Sequence, residues 1–140
     1  MLRRPIISAL LATIAIVFAC ALDSHTSAVG AASSSAKPGA KIYSANCSSC
    51  HGADGTGTAG AFPPLADNSM VTGSADKVIA AVKNGLTGET KVNGKTYNGA
   101  MPAWKDKLSN AEIAEVVTYI RSSWGNAASA VTEEQVAGVK

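Results

Sequence analysis

Two cysteines and a histidine lie within five positions, in Cys47-Ser48-Ser49-Cys50-His51. Two thiols three positions apart can each add across one vinyl group of a haem, and the adjoining imidazole can then reach the iron. This C-x-x-C-H spacing is typical of c-type haem attachment. Its physical reason is that two thioether bonds hold one edge of the porphyrin beside the next side chain. The motif therefore predicts one covalent haem c, bound through Cys47 and Cys50, with His51 as an iron ligand.

Three other interpretations of the motif stay open at this level. A zinc site would need further Cys or His ligands, and the remaining candidates, Cys20 and His25, lie near the N-terminus. A thioredoxin-like redox pair would follow a buried strand, whereas residues 41–46 form no apolar strand run. A disulfide between the two motif cysteines would suit a secreted protein but would leave the adjoining histidine without a role.

The first 30 residues differ from the rest and are predicted to be an export signal or a membrane anchor. Two arginines precede an apolar run at 6–22, which is the order found in secretory signals. The run is also just long enough for an uncleaved anchor, and the segment ending at Cys20 loosely resembles a bacterial lipobox that would carry a lipid. Residues 31–37 are then a flexible linker, and the domain beyond is exported to the periplasm, soluble or membrane-tethered.

Length and charge limit the classes open to the exported part. A chain of 140 residues allows one domain. Beyond Gly30 it carries ten Lys plus Arg and nine Asp plus Glu, interspersed along the sequence. Nothing in this balance indicates a nucleic-acid partner, and no docking face of one charge can be recognised. A core of this size is small, and a haem would give it a large apolar centre.

Three main helices are predicted. Pro38 favours the start of the first, because its missing N–H would be unpaired there. Ser74 is the predicted N-cap of the second, which continues with apolar residues at helical spacing: Ala75, Val78, Ile79 and Val82. Ser109 and Glu112 have the spacing of a capping box, which predicts the start of the third helix.

The segments between and after these helices are predicted to be loops and turns. Glycine-rich residues 52–60 are expected to wrap the haem edge. Asn93-Gly94 predicts a tight hairpin turn. Residues 126–140 are predicted to be a C-terminal tail with a possible short helix, since Thr132 begins a second capping-box pattern.

The second axial position of the iron decides the chemistry. Beyond the leader His51 is the sole histidine, which excludes bis-His ligation within one chain. An open position would bind small molecules or peroxide, whereas a methionine sulfur would give a six-coordinate carrier of raised potential. The candidates are Met70 and Met101. Met70 fits a gap-filling role, and Met101, in a loop before Pro102, is the preferred ligand.

Taken in order, these features resemble the class I cytochromes c. The resemblance rests on the haem motif, a Pro-Pro-Leu run ending at Leu65, the Met101-Pro102 loop and a last helix that contains aromatic residues. It covers nearly all of the exported part. It implies an all-α protein with the small class I cytochrome c fold, in which three main helices and loops wrap around one covalent haem, and a cytochrome c domain at 38–125.

The resemblance also implies how the terminal helices meet. In this family the first and last helices cross near a right angle. The crossing contact would bring Gly39 and Tyr43 against Tyr119 and Ile120.

The resemblance further implies the surroundings of the iron. The carbonyl of Pro63 would accept a hydrogen bond from the imidazole of His51, with Pro64 as the alternative acceptor. Leu65 would take the place of the family's leucine two positions after that proline. Met101 would be the second axial ligand.

The function that follows is one-electron transfer by a monomer, not an enzyme, between respiratory or periplasmic redox partners that it meets transiently. The alternative is a haem c subunit of a specific dehydrogenase, nitrite reductase or oxidase complex, and a lipid on Cys20 would suit such tethering. A haem enzyme or gas sensor with an open iron is the third possibility. The chain lacks the dense lysine ring of the mitochondrial proteins, so docking through such a ring is not expected.

Overall fold

The computed structural model describes residues 36–140. The predicted leader at 1–30, its Cys20 and nearly all of the predicted linker lie outside the described residues. In chain order the elements are α1 (Ala36–Asn46), α2 (Ser48–His51), α3 (Ser69–Thr72), α4 (Ala75–Asn84), β1 (Thr90–Val92), β2 (Lys95–Tyr97), α5 (Asn110–Arg121) and α6 (Glu133–Gly138). Within residues 36–140 no helix is both long and apolar enough to cross a membrane.

The three predicted main helices are α1, α4 and α5. The capping box of α5 is present, since the Ser109 hydroxyl accepts a hydrogen bond from the Glu112 N–H and the Glu112 carboxylate accepts one from the Ser109 N–H. The prediction for Ser74 was wrong in part. Ser74 is the N-cap residue of α4, but its side chain makes no cap hydrogen bond, so α4 depends on its buried apolar face, at Val78, Ile79, Ala81 and Val82.

Helices α1 and α5 cross in close contact at Gly39. A Cβ at this position would overlap the carbonyl oxygen of Glu115 and would lie 2.8 Å from the Cβ of Tyr119. One turn on, the buried ring of Tyr43 lies 5.5 Å from the ring of Tyr119 and 4.8 Å from that of Trp124, between ring centroids. The expected contact of Gly39 and Tyr43 with the last helix is therefore present, with Tyr119 at its centre.

The hairpin lies where the Asn-Gly pair predicts it. β1 pairs antiparallel with β2, with Val92 opposite Lys95. Asn93 and Gly94 have φ values of 49° and 76°, and such positive values at both central residues are those of the tight turn that matches strand twist. Val92 and Tyr97 are buried.

The tail forms the predicted short helix, α6, and packs on the domain. The Thr132 hydroxyl accepts a hydrogen bond from the Gln135 N–H, and Val136 is fully buried. Lys83, near the end of α4, donates hydrogen bonds to the carbonyl oxygens of Val136, at 2.8 Å, and Val139.

Arg121 joins the tail to the middle of the chain. Its guanidinium is buried and donates to the carbonyl oxygens of Val71, at 2.6 Å, Gly73, at 3.0 Å, and Ser129, at 3.0 Å. These bonds hold the end of α3 and the start of the tail against α5. Within residues 36–140 the secondary structure is mostly helical with one small two-stranded sheet, which agrees with the predicted small class I cytochrome c fold.

Candidate functional site

The Cys-x-x-Cys-His motif forms α2, a single turn that continues from α1. The N–H of Cys47 donates to the carbonyl oxygen of Tyr43 at 2.8 Å, and the N–H of His51 donates to the carbonyl oxygen of Cys47 at 3.0 Å. The thiols of Cys47 and Cys50 are half-buried and are not joined in a disulfide. The helix crossing therefore fixes where both thiols and the imidazole lie.

The imidazole of His51 has a fixed orientation. Its side chain is buried, and Nδ1–H donates a hydrogen bond of 3.0 Å to the carbonyl oxygen of Pro63. Because a carbonyl can only accept, Nδ1 carries the proton and Nε2 keeps its lone pair for a metal ion. Burial lowers the pKa of His51 from its ordinary value, while the bond to Pro63 acts in the opposite direction. The neutral imidazole is the form that binds iron.

A glycine-rich loop brings the Pro63 carbonyl to this histidine. The N–H of Gly57 donates to the carbonyl oxygen of His51 at 2.7 Å, and the carbonyl oxygen of Gly55 accepts from the N–H of Leu65 at 2.7 Å. Gly57 has a φ of +72°, and a Cβ there would lie 2.8 Å from the Pro63 carbonyl oxygen. Glycine is thus required at 57 both for the turn and for the close approach.

The neighbouring proline carbonyl has a different partner. The side-chain amide of Asn68 donates to the carbonyl oxygen of Pro64 at 2.8 Å, and its oxygen accepts from the N–H of Met70 as the N-cap of α3. Of the two prolines, Pro63 is therefore the one that contacts His51. Asn68 was not singled out from sequence, although an Asn at the head of a short helix is a typical N-cap.

A largely apolar cavity of about 230 Å³ is lined by the motif and by residues from the segments that follow it in the chain. All six predicted site residues line it: Cys47, Cys50, His51, Pro63, Leu65 and Met101. Met70 lines it as well, so lining alone does not distinguish the two methionines. Sequence reasoning missed Tyr97 and Trp104, which also contribute to the wall and carry no motif that would mark them.

Met101, which lines this cavity, is held by two backbone hydrogen bonds. Its N–H donates to the carbonyl oxygen of Leu86 at 2.8 Å, and its carbonyl oxygen accepts from the Leu86 N–H at 3.0 Å. Gly85 allows this approach, because a Cβ there would overlap the Met101 carbonyl oxygen. The N–H of Trp104 then donates to the carbonyl oxygen of Val82 at 3.1 Å. The loop is thereby fixed to the end of α4.

The side chains present fit a haem bound through two thioethers. Cys47, Cys50 and His51 line one apolar cavity together with two methionines, whose neutral sulfurs are the candidates for a second iron ligand. Burial, and then the neighbouring Cys50, raise the pKa of the Cys47 thiol to about 11, so this thiol is neutral at pH 7. Among residues 36–140 no three His, Cys, Asp or Glu side chains are grouped as a metal ion would require, and the zinc interpretation would need such a group.

Comparison with known proteins agrees with this site. A sequence model of the family described as cytochrome c matches residues 36–124. The chain belongs to the cytochrome c family. Its cofactor is one haem c, covalently attached through Cys47 and Cys50, and the role of the family is electron transfer.

The relatives include small proteins and parts of larger ones. The chain is 41% identical over 93 residues to a cytochrome c-552 from Thermus thermophilus, with 64% of this chain and 70% of that one aligned. A second cytochrome c-552 from the same species is also 41% identical, and 62% of its length is covered. The cytochrome c subunit of a quinone alcohol dehydrogenase from Gluconobacter oxydans is 38% identical over 106 residues, 74% of this chain but 22% of that subunit. The chain therefore spans only part of each relative.

Proposed function

We propose that the protein is a one-electron carrier, not an enzyme, with His51 and Met101 as the axial ligands of its haem iron. When bound, the haem supplies the redox step, in which iron changes between ferric and ferrous. The observation that carries the proposal is that both side chains line the same apolar cavity and that each is fixed by hydrogen bonds to a separate loop.

His51 supplies the stronger of the two ligands. Its Nδ1–H bond to Pro63 holds the ring in one tautomer and raises the basicity of Nε2. Because the proton remains on Nδ1 in both oxidation states, electron transfer at this ligand requires no proton movement.

Met101 supplies a soft, neutral sulfur that favours ferrous iron and so raises the potential. Its two backbone bonds to Leu86 restrict the loop that carries it. The wall of the cavity is largely apolar, as is typical of cofactor sites. A ligand set that need not change between the two oxidation states keeps the reorganisation small.

The experiment that tests this proposal is the far-red absorption of the purified ferric holoprotein. Methionine bound to ferric haem iron gives a weak charge-transfer band there. We expect the band in the wild type, its loss together with a lower potential in Met101→Ala, and its retention in the matched variant Met70→Ala. A wild type without the band that binds carbon monoxide readily at neutral pH would refute His/Met ligation. Loss of the band in Met70→Ala alone would move the assignment to Met70.

A second candidate is a haem c subunit of one specific oxidoreductase complex. The alignment of 74% of this chain with part of a dehydrogenase cytochrome c subunit favours it. A shuttle meets its redox partners transiently and behaves as a monomer. Size-exclusion chromatography of protein isolated under mild conditions separates the two, since a subunit would elute in a stable large complex and a shuttle would not.

We also propose that residues 1–30 direct the chain to the periplasm and that 31–37 link them to the cytochrome c domain at 38–125. The apolar run at 6–22 after two arginines supports export. The intact mass of the mature protein distinguishes a cleaved signal, a lipid on Cys20 and an uncleaved anchor. A mature protein that is unprocessed and cytoplasmic would contradict export.

A further inference from the structure

Two uncharged loops meet at the rim of the cavity. The loop at 58–62 precedes Pro63 and so belongs to the His51 side, and it is closed by a hydrogen bond of 3.0 Å from the Thr58 N–H to the Phe62 carbonyl oxygen. The loop at 97–101 ends at Met101. Neither loop contains a Lys, Arg, Asp or Glu residue, so no ion pair within them can hold them together.

They touch at Gly99. A Cβ on Gly99 would lie 2.8 Å from the carbonyl oxygen of Ala61 and 3.2 Å from the nearest ring carbon of Phe62. Gly99 does not have a positive φ, so its backbone conformation is open to other residues. Glycine is needed here because the two loops lie so close together and not because of the backbone conformation.

This contact completes the restraint on Met101. On one side the loop is paired with Leu86 by two backbone hydrogen bonds. On the other side, two residues before Met101, it has the packing contact with Ala61 and Phe62. Phe62, Gly99 and Met101 all line the cavity. Movement of the 97–101 loop away from the 58–62 loop would therefore open the cavity beside Met101.

We propose that the contact of Gly99 with Ala61 and Phe62 holds the 97–101 loop, which carries Met101, against the 58–62 loop, which leads to Pro63. This contact, here called the lock, keeps Met101 bound and excludes small neutral iron ligands. The inference rests on the proposed His/Met ligation. Gly99 is a positioning residue in this account, because it acts through Met101. Since the lock consists of close packing alone, a single added methyl group disrupts it.

The test uses the ferric holoprotein and the variant Gly99→Ala, with imidazole as the probe. The added methyl group cannot be accommodated without moving a backbone carbonyl, so one loop must shift. We expect imidazole to bind about tenfold faster than in the wild type, and the amide hydrogens of Met101 and Leu86 to exchange about tenfold faster. The far-red band should weaken.

Two control variants separate the lock from general destabilisation. Gly138→Ala places its methyl group in open space and should change nothing. Val136→Ala removes two buried methyl groups from α6, which does not line the cavity, so it should lower the thermal midpoint without accelerating imidazole binding. Phe62→Ala removes the ring contact without adding a group, and it should also accelerate imidazole binding. It serves as the test variant if Gly99→Ala does not fold.

The outcomes are distinct. Unchanged imidazole and exchange rates in a folded Gly99→Ala protein would overturn the lock, as would equal acceleration in Val136→Ala. If Gly99→Ala does not fold, unchanged rates in Phe62→Ala would overturn it. Failure of the proposed function has a different signature, because the wild type itself would then lack the far-red band.

Discussion

The hydroxyl of Tyr43 donates a hydrogen bond of 2.6 Å to the carbonyl oxygen of Gly52. Tyr43 lies on α1 at its crossing with α5, and Gly52 directly follows His51, the last residue of the haem motif. This one bond therefore connects the helix crossing to the end of the haem motif. The ring of Tyr43 adds packing against Tyr119 and Trp124, so the same side chain supports the site in two separable ways.

Tyr43→Phe should lower the free energy of unfolding by about 1–2 kcal/mol, because it keeps the ring contacts and leaves the Gly52 carbonyl without this partner. Guanidinium unfolding of the holoprotein measures the change. Tyr119→Phe is the matched control, since the Tyr119 hydroxyl has no hydrogen-bond partner among residues 36–140. Equal effects in the two variants would show that the bond contributes nothing.

The same hydroxyl predicts a pH dependence. Burial, the largest cause, raises the pKa of Tyr43 above the ordinary value of tyrosine. Above about pH 10 the unfolded chain then binds fewer protons at this position than the folded one, so stability falls as the pH rises. Unfolding measured from about pH 8 upward should show this fall in the wild type and a smaller fall in Tyr43→Phe. Parallel curves for the two proteins would contradict the assignment.

Local signals predicted the main elements well. Ser109 and Glu112 lie within four positions and form the capping box that begins α5. Asn93-Gly94 determines the hairpin turn through its backbone conformation alone. By contrast α2 and α3 have four residues each, too few to show a helical period. The sequence could not reveal that Ser74 makes no cap bond, because that depends on a side-chain rotamer.

The preference for Pro63 over Pro64 rested on the family resemblance, because the two residues themselves do not distinguish their carbonyls. Two adjacent carbonyls differ only in direction, and their direction is set by contacts far along the chain. Asn68 binds the carbonyl of Pro64, and Gly57 makes room for that of Pro63. Likewise Met70 and Met101 both line the cavity. Spectroscopy, and not a residue pattern, distinguishes a methionine that binds iron from one that only lines the cavity.

Gly57→Ala should disturb the hydrogen bond of His51. The new methyl group would lie 2.5 Å from the Phe62 carbonyl oxygen and 2.8 Å from the Pro63 carbonyl oxygen. Displacing the Pro63 carbonyl would make Nε2 less basic and the potential higher. We expect a loss of stability about 1–3 kcal/mol beyond that of the control. Potentiometry and chemical unfolding measure both changes.

The control is Gly60→Ala. Gly60 has nearly the same φ, +75° against +72°, but no atom lies within 4 Å of its added Cβ. Both variants thus carry similar backbone strain, and only Gly57→Ala carries the contact with Pro63. A potential that shifts equally in both would show that strain, not the carbonyl, is responsible.

Removal of the haem should abolish the fixed tertiary structure. The cavity that His51 and Met101 help to line is about 230 Å³, and at about 24 cal/mol per Å³ an empty cavity of that size costs about 5.5 kcal/mol. Small domains are stable by about 5–15 kcal/mol in total, so little stability would remain. We expect Cys47→Ala/Cys50→Ala, made without attached haem, to lose its near-ultraviolet circular dichroism, whereas holoprotein Met101→Ala should keep it. A cooperative unfolding transition at the wild-type midpoint in the double variant would mean that the described fold does not depend on the haem.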